Sequence, residues 1–108
     1  MKKTMVGILL LTLIFIIVNC STDPRPEIRV RNEGMENVNV KIQTSANTEI
    51  KINDVEPGQT SEYQSTTAGN ITATAVSQNE SISFTAEMET RYTIVLNPGK
   101  PPSIQIDN

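Results

Sequence analysis

Few residues in this chain of 108 could carry out chemistry, because it has a single cysteine, Cys20, and no histidine. The missing histidine removes the usual general base near neutral pH and the commonest zinc ligand, so Ser-His-Asp, Cys-His and HExxH sites are excluded. Carboxylates remain in near pairs: Glu33 with Glu36, Asp54 with Glu56, and Glu87 with Glu89. Such pairs can act as acid and base or hold calcium. None follows the Asp-x-Asn-x-Asp-Gly regularity of a dedicated calcium loop, and acidic residues in turns ordinarily serve solubility. The expectation is therefore no catalytic residue, no metal and no cofactor.

Cys20 has a more specific context. Lys2 and Lys3 precede an apolar run from Met5 to Val18, and the cysteine follows two residues later. The segment from Val6 to Val18 would span roughly 20 Å as a helix at about 1.5 Å per residue. That is short of the ~20 residues a permanent membrane span needs, and the flanking charges suit a secretory signal. Ile17, Val18, Asn19 and Cys20 then resemble the lipobox of bacterial lipoproteins, with Asn19 standing where that family usually has Gly or Ala. The resemblance implies cleavage between Asn19 and Cys20 and a diacylglycerol on the Cys20 sulfur. It also implies membrane attachment in the cell envelope, and, with Ser21 rather than Asp after the cysteine, the outer membrane in a Gram-negative host. A lone unmodified thiol would otherwise stand exposed where cysteines normally pair.

Removing residues 1–19 leaves enough chain for one small domain. Seven Lys and Arg then oppose twelve Asp and Glu, a formal charge of −5. No basic patch is present in the sequence to attract nucleic acid, which is not expected as a partner. Residues 20–26 read as the lipidated cysteine and a short tether stiffened by Pro24 and Pro26. Residues 27–108 read as a single domain.

The elements of that domain are strands. Ile28 and Val30 alternate with Arg29 and Arg31; Val38, Val40 and Ile42 with Asn39 and Lys41; Ile71, Ala73 and Ala75 with Thr72 and Thr74. Ile50 and Ile52, Ile82 and Phe84, and Tyr92 to Leu96 follow the same period of two, which marks a half-buried antiparallel sheet. Glu56 to Gln59 and Asn97 to Lys100 each place Pro second and Gly third, as a type II turn requires. Seven strands result, with 103–106 an eighth, which Pro101 and Pro102 confine to a sheet edge. This spacing favours an all-β, immunoglobulin-like antiparallel β-sandwich over a closed barrel. Without tryptophan or a disulfide, its core is expected to rest on aliphatics with Phe84, Tyr63 and Tyr92.

Arg29 to Asn32, Val55 to Tyr63 and Arg91 to Leu96 resemble the strands and turns of small immunoglobulin-like domains in bacterial envelope lipoproteins. That resemblance implies fold and place more than activity. Thr66, Thr67, Thr72, Thr74, Ser81, Ser83 and Thr85 are expected to form a hydroxyl-rich face, in keeping with sheet propensity and suited to docking a partner. The expected function is a non-enzymatic envelope module binding a protein or polysaccharide through strand edges or loops. A structural lipoprotein without a ligand is the alternative, and an inhibitor or enzyme acting on envelope polymers a third reading.

Overall fold

A computed structural model describes residues 23–107 of the chain. The expected signal-peptide helix lies outside these residues, as do Asn19 and Cys20. Among the described residues every regular element is a strand: β1 (Glu27–Asn32), β2 (Val38–Thr44), β3 (Glu49–Val55), β4 (Gln64–Ser65), β5 (Gly69–Ala75), β6 (Glu80–Ala86), β7 (Arg91–Leu96) and β8 (Ser103–Ile106). They form two four-stranded sheets, sheet I in the order β4-β1-β7-β8 and sheet II in the order β3-β2-β5-β6. The expected all-β sandwich of eight strands is the observed architecture.

Alternation generates the core. Ile28 and Val30 from β1, Tyr92, Ile94 and Leu96 from β7, and Val40, Ile42, Ile71 and Ala73 from sheet II point between the sheets and are buried. Each large side chain so buried contributes about 1.5–3 kcal/mol. The rings of Phe84 and Tyr92 meet with centroids 5.0 Å apart and planes tilted by 52°. The Tyr92 hydroxyl accepts a hydrogen bond from the Glu87 backbone N–H at 2.8 Å, so the polar tip of a buried ring is satisfied.

Both Pro-Gly turns form as expected. Gly58 and Gly99 have φ of 77° and 78°, and the N–H groups of Gln59 and Lys100 close the turns on the carbonyls of Glu56 and Asn97. A side chain at either glycine would be strained in this left-handed region. β8 pairs with β7 at the edge of sheet I, where its two preceding prolines put it.

One pairing departs from the antiparallel expectation: β1 runs parallel to β7, in register from Glu27 with Arg91 to Asn32 with Leu96. A period of two defines faces, not neighbours, and the parallel pair is reached by sending the chain through sheet II between the two strands. The tether side of the domain is fixed by backbone bonds. Pro26 is buried, its carbonyl accepts from the Thr66 N–H at 2.9 Å, and the Pro24 carbonyl accepts from the Glu89 N–H at 2.6 Å. The N-terminal segment therefore enters at the end of the sandwich where β1 and β7 begin.

Candidate functional site

The three carboxylate pairs do not converge. Glu33, Glu36, Asp54, Glu56, Glu87 and Glu89 are all exposed, and no group of three metal-binding side chains forms among the described residues. Asp54 has φ of 56° where β3 shifts register against β2, and its N–H donates to Asn39 Oδ1 at 2.7 Å. Its backbone serves the bulge in β3, and its side chain is exposed.

Sheet I instead assembles a cluster around Tyr63. Tyr63 is expected in the core from its hydrophobicity, but the ring lies half-buried on the outer face, outside the core cluster. The guanidinium carbons of Arg29 and Arg91 lie 4.6 and 4.9 Å from the ring centroid. The phenol donates to Asp107 Oδ2 at 2.7 Å. Thr93 donates to the same oxygen at 2.7 Å and accepts from Arg29 Nε at 2.9 Å. Gln105 Nε2 donates to Asp107 Oδ1 at 3.1 Å, and Arg91 Nε pairs with Glu27 Oε1 at 2.9 Å. β1, β7 and β8 position these groups because Glu27, Arg29, Arg91, Thr93 and Gln105 are the outward residues of neighbouring strands.

The electrostatics of this cluster are those of a closed network. Partial burial pushes the Asp107 carboxyl up, but hydrogen bonds from Thr93, Tyr63 and Gln105 and the nearby Arg29 charge outweigh it and hold the group below the usual carboxylate range. Burial, then the bond and charge of Asp107, push the Tyr63 phenol up. Asp107 is thus an ionised acceptor with its donors in place, and Tyr63 a neutral donor. Neither is poised to exchange a proton near neutral pH.

The hydroxyl-rich face appears on sheet II. Thr72 Oγ1 and Ser83 Oγ lie 2.9 Å apart, Thr74 Oγ1 and Ser81 Oγ 2.8 Å, and Thr85 Oγ1 donates to Asn70 Oδ1 at 3.0 Å. Thr66 does not join it. That side chain is buried beside Pro26, with no hydrogen-bond partner for its hydroxyl among the described residues.

A cleft of about 370 Å³ opens at the end where β1 and β7 finish, opposite the entry of the tether. Val38, Leu96 and Pro102 give its lining an apolar part, the exposed Glu36, Glu80 and Lys100 line it as well, and Met35, also in the lining, is 87% exposed. Asn32 secures one wall. Its buried side chain donates to the carbonyls of Glu36 and Val55 at 2.7 and 2.8 Å and accepts from the Gly34 N–H at 2.8 Å. Met35, an apolar side chain in a Gly- and Asn-containing loop with no place in a strand, is the one sign of this cleft in the sequence.

No protein-family model matches the chain, and no curated protein matches its sequence. Among solved structures, the N-terminal domain of AlgF from P. aeruginosa is similar, with a TM-score of 0.61 at 22% identity, covering 81% of this chain and 100% of that domain. A protein from Eubacterium rectale matches with a TM-score of 0.46 at 20% identity, over 82% of this chain and 93% of that one. The likeness to the AlgF domain is one of fold.

Proposed function

We propose that this chain is a lipid-anchored cell-envelope protein whose sandwich works as a non-enzymatic binding or assembly module. The observation that carries the reading is the placement of the cleft. The N-terminal segment enters at one end of the sandwich, pinned through Pro24 and Pro26, and the cleft opens at the other. Lipid on Cys20 would hold the first end and leave the second clear. Two or more acyl chains anchor durably, since each buried methylene contributes about 0.8 kcal/mol. A lining that joins the apolar Val38, Leu96 and Pro102 to Glu36, Glu80 and Lys100 suits a partner protein segment that offers an apolar side chain flanked by charge. Met35 adds an adaptable apolar contact beside them.

A photoreactive residue in place of Met35 in the full-length chain, activated in intact cells of its host, tests this reading. The expected result is a discrete adduct with one envelope protein, absent when the same group replaces Lys51 on the opposite sheet edge. No adduct at Met35, or the same adducts at both positions, would count against it.

A further inference from the structure

The two sheets end in four edge strands, and three are protected against further pairing. β4 is two residues long. β8 has four residues and enters behind Pro101 and Pro102. β3 carries Glu49 and Lys51 and is broken in register near Asp54. Short length, proline, charge and irregularity are the devices by which native sheets close their edges.

β6 carries a charge only at its first residue and has no other such device. Its seven residues pair with β5 in unbroken register from Glu80 to Ala86, with no proline, glycine or lysine and no charge after Glu80. Its inward side chains are also incompletely covered. Ile82 and Phe84 are only half-buried, whereas their β5 neighbours Ala73 and Ile71 are each 1% exposed. An added strand would cover that apolar strip and satisfy the open backbone groups.

We propose that the occupant is β6 of a second copy of this chain, paired antiparallel about a two-fold axis at Ser83 to make one eight-stranded sheet. The sequence is self-complementary in that register. Ile82 faces Phe84 twice on the inner side; Ser81 faces Thr85 twice and Ser83 faces Ser83 on the outer side; Glu80 faces Ala86. The two Glu80 carboxylates then stand at opposite ends of the pairing, roughly 20 Å apart at about 3.4 Å per residue and beyond the ~8 Å screening length. Slipping by one residue sets Ile82 and Phe84 opposite hydroxyls. Slipping by two toward the N-terminal side sets Glu80 opposite Phe84 and leaves residues unpaired. The hydroxyl row of Thr72 and Ser83 continues across the seam into the second copy. Because the axis stands perpendicular to the sheet, the two N-terminal segments leave at opposite ends. Two chains anchored in one membrane pair with their strands lying along its surface, so that each cleft opens sideways, beside the anchored end of the other copy. Pairing through β6 goes beyond the proposed function and needs no lipid on Cys20, although Glu80 belongs both to the seam and to the lining of the cleft.

The test is Ser83→Cys in the full-length chain in detergent micelles under mild oxidation. Residues directly opposite in an antiparallel pair have Cα atoms about 4.5–5.5 Å apart, within reach of a disulfide. The expected result is a dimer linked through the introduced thiol of each copy, identified by peptide mass so that links through Cys20 are set aside. Lys51→Cys on the β3 edge should stay unlinked. In parallel, Ser83→Lys sets two like charges face to face at a position exposed in the single chain, and should weaken dimerisation by sedimentation at least tenfold with the circular dichroism unchanged. A wild-type chain that stays monomeric at every protein-to-detergent ratio would overturn the proposal, as would linking in the Ser83→Cys variant no greater than in Lys51→Cys. If in cells the thiol introduced by Ser83→Cys links to a different envelope protein and never to a second copy, that would also overturn it and leave the proposed function standing.

Discussion

On the outside of sheet I, Asp107 accepts hydrogen bonds from Tyr63 and Thr93 at 2.7 Å each, and two arginines bracket the tyrosine. On the outside of sheet II, threonines and serines bond only to each other or to a neighbouring asparagine, in the open. Both faces are built from the polar positions of the same alternating pattern. The difference lies in reach and burial. Arginine and tyrosine fold over the strands and take Thr93 out of water entirely, so the polar groups beneath must be paired. Short hydroxyls leave the sheet surface wet, where a hydrogen bond between them competes with water on equal terms. One face is tied together and holds β8 to the domain; the other is a flat polar surface that ends in an unprotected strand.

The largest expected effect that would break this contrast is Asp107→Ala. It removes the shared acceptor of three side-chain donors and should cost about 1–3 kcal/mol of stability, since bonds to a charged group are the stronger kind. Chemical denaturation measures the loss, and hydrogen exchange should accelerate first in 103–106. A change no larger than an ordinary surface substitution would mean that the network holds nothing.

The same residue predicts an acid dependence. The native carboxyl of Asp107 lies below its unfolded value of about 3.9, so its contribution is complete above that pH and is lost as pH falls through the lowered native value. The stability difference between the wild type and Asp107→Ala should therefore persist from neutral pH to about 5 and shrink below 4. Denaturation midpoints of both proteins across that range check it, and a difference constant down to pH 2 would contradict the assignment.

Two further substitutions should cost less. Tyr63→Phe keeps the ring between the arginines and deletes one hydrogen bond, for a loss of about 0.5–1.5 kcal/mol. Thr74→Val combined with Ser81→Ala removes both members of an exposed pair on sheet II and should shift stability by no more than about 0.5 kcal/mol. If the sheet II double variant cost more than Tyr63→Phe in the same denaturation series, the two faces would not differ as described.

Much of the fold is legible in the sequence because alternation and turn chemistry are local. Ile28 with Val30, Ile71 with Ala73, and the two Pro-Gly turns announce strands and reversals within a few residues. The edge position of β8 follows from Pro101 and Pro102 for the same reason. The tyrosine cluster is not legible because its members are brought together by pairing across the chain: Arg29 and Thr93 are 64 positions apart and face each other only because β1 pairs in parallel with β7. Tyr63 lies before a two-residue strand, too short for alternation to assign a face, and so reads as core on hydrophobicity alone. The cleft likewise depends on which loops share an end of the sandwich. Phe84, by contrast, points toward the core as its alternation predicts but sits at an open edge, and edge position is a property of the sheet rather than of the strand.

The N-terminal anchoring we propose is tested most directly by the intact mass of the protein purified from its native host. The expected result is a chain beginning at Cys20 with the added mass of a diacyl or triacyl lipid on that residue. An unmodified chain beginning at Met1 would contradict it.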